Sequence, residues 1–196
     1  MISKISELGK AILKVDAFRI VNYTTPEGRT SPYFLDLARI ISFPNALSLA
    51  LECMNFESSR IEKSESFDYF CGVPVAGLIL GALLAHEKHK PLVYPTRESN
   101  YRLKGILNPG SQVLVIDDVS ETGQSLEYAV QSVRANGGLV SSALTLVDRS
   151  ESAAASLAKS GVKLYSFTTV SELVAKLKEN LALPEKEDEL LETKPR

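Results

Sequence analysis

Cysteine and histidine are scarce in this chain, with two of each among 196 residues. Cys53 and Cys71 form no CxxC pair, so buried free thiols in a reducing compartment are the expectation, with a disulfide between them as the alternative. His86 and His89 read as exposed positions after a helix end, and no ligand cluster accompanies them. An excess of basic charge is also missing. The formal net charge is −2 and the pI about 5.8, which excludes the field of a dedicated nucleic-acid binder. Long apolar runs are lacking too: residues 70–85 are too short to span a membrane comfortably and contain Pro74 and three glycines. Residues 1–14 alternate charged and apolar positions instead of forming a signal peptide, so a cytoplasmic protein is expected. There is no GxGxxG, and the P-loop-like GILNPGS at 105–111 has no lysine. No internal repeat is visible.

What is present is the balance of a globular domain, 44% apolar and 23% charged. The length suits one domain over residues 1–180, followed by a charged tail at 181–196. Ile5, Leu8, Ile12 and Leu13 share one face of an amphipathic helix over 3–15. Short strands follow at 18–23 and 33–37, and Pro44 opens a helix running to 56. From residue 67 strands alternate with helices. Strands are expected at 69–73, 92–94, 113–116, 140–147 and 163–168, and helices at 76–87, 123–136, 152–159 and 170–178. That alternation gives an α/β fold with a central, mostly parallel sheet flanked by helices. Such sheets bind ligands beyond the carboxyl ends of their strands.

One of those ends is chemically distinctive. Residues 113–125 read VLVIDDVSETGQS: an apolar strand delivers Asp117 and Asp118, and small or polar residues then lead into a helix. Free amides and the dipole at that helix start suit a phosphate, while adjacent carboxylates suit the vicinal hydroxyls of a sugar. The same residues also fit a solvated Asp-Asp turn before an ordinary Ser/Thr cap. On the residues alone both readings stand.

The run resembles the signature loop of the type I phosphoribosyltransferase family, in which an acidic pair precedes a Thr/Gly/Ser-rich loop. The resemblance implies that family's fold with a small N-terminal hood (residues 1–42) on the α/β core (67–180). It also implies that Asp117 and Asp118 hold the ribose hydroxyls of phosphoribosyl diphosphate. Val119, Ser120, Glu121, Thr122, Gly123, Gln124 and Ser125 would then surround its 5′-phosphate. Within the family, residues 18–178 are most similar to the orotate-using members. Gly28 to Phe34, reading GRTSPYF, resembles their SPYF segment, which places Tyr33 and Phe34 at the orotate pocket. Gly72 to Gly77, reading GVPVAG, resembles the turn that meets pyrophosphate, which implicates Val75 and Ala76. Val147-Asp148-Arg149 resembles the element whose arginine contacts the orotate carboxylate, a pairing suited to a guanidinium. The implied reaction is orotate plus phosphoribosyl diphosphate giving orotidine monophosphate and pyrophosphate, in a homodimer, with Mg2+ carried mainly by the substrate. Two other readings are a phosphoribosyltransferase for another base and a non-catalytic phosphoribosyl-diphosphate-binding regulator.

Four positions depart from the pattern. The family's mobile loop carries a lysine where this chain has Asn100 and a histidine where it has Arg102. Arg97, Arg102 and Lys104 are the cations nearby, and Arg102 and Lys104 are the candidates for the missing catalytic charge. Pro26 replaces a lysine expected before the SPYF segment, and Glu121 replaces a threonine. A carboxylate about 5 Å from the phosphate would repel it by roughly 3 kcal/mol at an effective dielectric near 20. Glu121 must therefore interfere, point outward or pair with a basic neighbour.

Overall fold

A computed structural model describes residues 2–24, 30–96 and 101–180. In chain order its elements are α1 (Ile2–Lys14), β1 (Phe18–Thr24), β2 (Thr30–Leu35), a 3-10 helix (Leu37–Ser42), α2 (Pro44–Ser64), β3 (Tyr69–Gly72), α3 (Ala76–Glu87), β4 (Leu92–Pro95), β5 (Leu103–Lys104), β6 (Gln112–Ser120), α4 (Gln124–Ala135), β7 (Leu139–Asp148), α5 (Glu151–Lys159), β8 (Lys163–Thr169) and α6 (Val170–Asn180). The chain divides into two compact units, Met1–Leu49 with Ser171–Arg196, and Ala50–Val170. No helix among the described residues is long and apolar enough to cross a membrane.

In the first unit, α1 buries Ile5, Leu8 and Ile12, the face its spacing predicts. Gly9 lets Leu177 of α6 approach: a Cβ there would lie 3.0 Å from Leu177 Cδ2. β1 and β2 pair antiparallel, with Phe18 opposite Leu35 and Ile20 opposite Tyr33. The second strand ends at Leu35, earlier than the expected 37. Leu37 instead starts the 3-10 helix, which buries Leu37 and Ile40 three positions apart, the repeat of that helix.

The second unit holds a six-stranded sheet in the order β5-β4-β3-β6-β7-β8. Neighbours pair in parallel except β4 and β5, which are antiparallel. Tyr69, Cys71, Val73, Val113 and Val115 pack with Leu126, Ala129, Val130 and Val133 of α4 and Leu157 of α5. The residues between them in sequence, Phe70, Leu114 and Ile116, are also fully buried and point to the opposite face by strand alternation. Both faces are therefore covered, as the near-continuous apolar runs require. Cys53 and Cys71 are buried free thiols, and burial pushes the Cys71 thiol up to about 12.

Two further boundaries differ from expectation for physical reasons. Helix α2 continues to Ser64, past 56, because Arg60 pairs back with Glu57 at 2.9 Å and Ile61 is buried. Strand β6 continues to Ser120, past 116, because β7 keeps pairing with it: Asp117 lies opposite Thr145 and Ser120 opposite Asp148. His86 is exposed as expected, yet it lies in the last turn of α3 and not beyond it.

Candidate active site

The strand order places a topological switch between β3 and β6. From β3 the chain builds outward through β4, and from β6 it builds the other way through β7 and β8. A crevice opens at such a point, beyond the carboxyl ends of the two strands. Here those ends carry Val73 to Ala76 on one side and Asp117 to Gly123 on the other. They approach closely. A Cβ at Gly77, near the start of α3, would lie 2.6 Å from Asp117 Oδ1 and 2.7 Å from the Ile116 carbonyl oxygen, so only glycine allows this packing. A pocket of about 290 Å³ lies here, lined by Val73, Pro74, Pro95, Gln124, Ser125 and Tyr128.

Asp117 is 7% exposed and Asp118 half-buried. The Asp118 N–H donates to Asp117 Oδ1 at 2.9 Å, fixing the Asp117 side chain against the backbone of its neighbour. Burial, first, and the adjacent Asp118 carboxylate, second, push the Asp117 carboxyl well above the usual carboxylate range. The pair thus sets the half-buried Asp118 carboxylate beside an Asp117 carboxyl whose charge is costly until hydroxyl donors or a hard cation offset it.

After it, the chain turns through Gly123, whose φ of +82° is the left-handed conformation glycine adopts freely. A Cβ there would also crowd Ala153 Cα at 3.2 Å. The first i→i−4 bond of α4 runs from the Glu127 N–H to the Gly123 carbonyl at 2.8 Å. The amides of Gln124, Ser125 and Leu126 therefore lie at the helix's positive end, where an anion is stabilised. Gln124 and Ser125 are exposed. Ser120 is not: its hydroxyl donates to Asp148 Oδ1 at 2.6 Å and lies 3.3 Å from Thr145 Oγ1. Burial raises the Asp148 pKa, and the Ser120 hydrogen bond opposes that.

Glu121 is tied to the turn that follows β7. Its carbonyl accepts from the hydroxyls of Ser150 and Ser152, both at 2.7 Å. Its carboxylate pairs with Arg149, Nη1 to Oε2 at 3.1 Å. Of the three fates open to this carboxylate, pairing with a basic neighbour is the one the structure shows. The Arg149 N–H also donates to the Ser120 carbonyl at 2.8 Å, so the two segments are fixed side by side.

The remaining candidates are distributed more widely. Val75 is 72% exposed and Ala76 is buried at the start of α3, at the mouth of the switch-point crevice. Arg102 and Lys104 are exposed on and beside β5 at the sheet edge, with Lys104 opposite Tyr94. Arg97, Glu98 and Asn100 lie outside the described residues. Tyr33 and Phe34 belong to the first unit, where Tyr33 stacks on Phe18 at 5.7 Å between centroids and the Arg19 guanidinium lies 4.9 Å from the Phe34 centroid. Tyr128 is a site residue that motif reading missed. Its hydroxyl donates to the Thr96 carbonyl at 2.8 Å and its ring packs 5.2 Å from that of Tyr101, so it joins α4 to both ends of the β4–β5 connection. The available signal was helical spacing, since Tyr128 falls one turn beyond Gln124 on the same face.

An acidic pair at the switch point, followed by a glycine turn into a helix N-terminus, is the architecture of the type I phosphoribosyltransferases. No family model matches the chain. It is 35% identical over 172 residues to an orotate phosphoribosyltransferase of Staphylothermus marinus, covering 86% of this chain and 83% of that one. The crystal structure of orotate phosphoribosyltransferase from Aeropyrum pernix superposes with a TM-score of 0.76 at 31% identity, covering 87% of this chain and 99% of that one. The structure of Leishmania donovani UMP synthase gives 0.84 at 28% identity and covers 95% of this chain, which spans 41% of that longer protein. The chain belongs to the orotate phosphoribosyltransferase family.

Proposed function

We propose that this chain transfers the phosphoribosyl group of phosphoribosyl diphosphate to orotate, giving orotidine monophosphate and pyrophosphate for pyrimidine biosynthesis. The observation that carries this reading is the Asp117–Asp118 pair, held at the switch point and followed directly by the α4 N-terminus. In the reaction the bond from the ribose anomeric carbon to the pyrophosphate oxygen breaks, and a bond from that carbon to a ring nitrogen of orotate forms as that N–H gives up its proton to the departing pyrophosphate. Positive charge develops on the ribose as the leaving group departs. Asp117 and Asp118 orient the sugar hydroxyls and offset that charge without acting as nucleophiles. The amides of residues 124–126 seat the 5′-phosphate, and the Val75–Ala76 turn faces the pyrophosphate. Arg149 takes the base, and Arg102 and Lys104 supply cationic charge toward the leaving group.

Mg2+ fits the donor set. Two hard carboxylates are offered, and among the described residues no group of three or more His, Cys, Asp and Glu gathers to cage an ion. One or two carboxylates completed by substrate oxygens is a coordination Mg2+ commonly takes. Carried in on the substrate, it would neutralise pyrophosphate charge. The reading includes a cytoplasmic setting, which the buried free thiols suit, and a homodimer, which rests on resemblance and is checked by light scattering. The direct test is orotate absorbance in purified protein with phosphoribosyl diphosphate and Mg2+. Loss of absorbance that needs all three components supports the reading. Saturable phosphoribosyl diphosphate binding without turnover of orotate sinks it and leaves a regulator.

A further inference from the structure

The Glu121–Arg149 pair joins two places that the reaction uses separately. Glu121 lies two residues before the Gly123 cap of α4, beside the seat assigned to the 5′-phosphate. Arg149 lies at the end of β7, where the base is assigned. Both backbones are fixed: Arg149 N–H to Ser120 carbonyl at 2.8 Å, and Ser150 and Ser152 hydroxyls to the Glu121 carbonyl at 2.7 Å. With the main chain held, the only large freedom left to Glu121 is its side chain. A carboxylate so close to a helix N-terminus is drawn to the amides there, of which Gln124 N–H also donates to Thr122 Oγ1 at 3.4 Å, by the same dipole and hydrogen bonds that attract a phosphate. What holds it elsewhere is the 3.1 Å contact with Arg149, a residue whose side chain is only 12% exposed.

We propose that Arg149 is a positioning residue for the phosphate seat as well as a base contact: it holds the Glu121 carboxylate off the α4 N-terminus, so affinity for phosphoribosyl diphosphate depends on Arg149 through Glu121. Because Arg149 is also assigned to the base, the two substrates are linked through that side chain. This inference rests on the phosphoribosyltransferase reading, because it takes residues 121–126 as the phosphate seat.

The test is calorimetric titration of phosphoribosyl diphosphate with Mg2+ and without orotate, into wild type, Arg149→Met, Glu121→Thr and the double variant. Arg149→Met is expected to weaken binding roughly tenfold or more, since it releases a carboxylate beside the phosphate. Adding Glu121→Thr should restore affinity to near the wild-type value, and raising salt should shrink the Arg149→Met loss. A purely structural role for Arg149 would not give that rescue. Thermal melts of all four proteins accompany the titrations, and Arg149→Gln, which removes the charge but keeps a polar head, serves with the same expected loss if Arg149→Met does not fold. Unchanged affinity in Arg149→Met, or a double variant as weak as Arg149→Met, overturns the inference and leaves the function intact. Wild type that fails to bind phosphoribosyl diphosphate overturns the function itself, and the inference with it.

Discussion

At the carboxyl end of β6 the chain presents Asp117, Asp118 and Glu121; at the sheet edge, β5 and the residue before it present Lys104 and Arg102, both exposed. The acidic end is fixed from several directions. Gly77 allows α3 to abut Asp117, the strand pairs with β7 as far as Ser120, and Arg149, Ser150 and Ser152 all bond to Glu121. The basic edge is a two-residue strand joined to β4 by Thr96 and Arg102 and braced by Tyr128. In the proposed reaction ribose and phosphate would meet a seat built before they arrive, as electrostatic catalysis requires. Charge for the leaving group would come from long, solvated side chains.

The contrast is broken most severely by removing the acidic charge. Asp117→Asn with Asp118→Asn should lower kcat/KM by roughly 10³-fold, about 4 kcal/mol of transition-state stabilisation, measured by orotate consumption. Lesser losses are expected at the edge. Arg102→Ala and Lys104→Ala should each reduce kcat/KM about tenfold with little change in melting temperature, because both side chains are solvated and make long-range contributions. If either variant instead melts much earlier, the edge is structural and the contrast fails. Tyr128→Phe removes the hydroxyl bond to Thr96 and should destabilise by about 1 kcal/mol, read from urea unfolding. Its kcat should fall more than its affinity for phosphoribosyl diphosphate, since the brace serves the edge and not the seat.

The Asp117 carboxyl gives a prediction in stability alone. Its pKa is raised in the folded chain by burial and by Asp118. Between the unfolded value, about 3.9, and the higher folded value, the folded state holds a proton that the unfolded state has lost. Stability should therefore fall as pH rises through that window. Asp117→Asn keeps an acceptor for the Asp118 N–H and removes the charge. The variant should melt above wild type at neutral pH and converge with it below about pH 4, by calorimetry across pH. A constant difference at all pH values would show that Asp117 ionises freely.

Much of this organisation was legible in the residues. The strand-helix alternation from Tyr69 onward places every parallel strand, because buried runs such as VLVI and the apolar face of α4 have few other solutions. Asp117 and Asp118 stand out at the end of an apolar strand, but the residues alone fit a solvated Asp-Asp turn equally well. Only the resemblance to the signature loop favours the sugar-phosphate reading. What could not be read depended on contacts distant in sequence. β5 is a strand only because Tyr94 and Pro95 pair with it. The inward turn of Ser120 follows from Asp148 and Thr145, and the direction of Glu121 follows from Arg149, all supplied by β7 or the residue after it. Tyr128 reads as an ordinary helix residue in sequence, and its role follows only from Thr96 and Tyr101 packing against it.

The central claim is that the β6–α4 junction is the seat for phosphoribosyl diphosphate. Calorimetric titration of that ligand with Mg2+ into wild type and the Asp117→Asn/Asp118→Asn variant tests it most directly. The account predicts saturable binding to wild type and none measurable to a variant that still melts cooperatively. Equal binding to both proteins would contradict it.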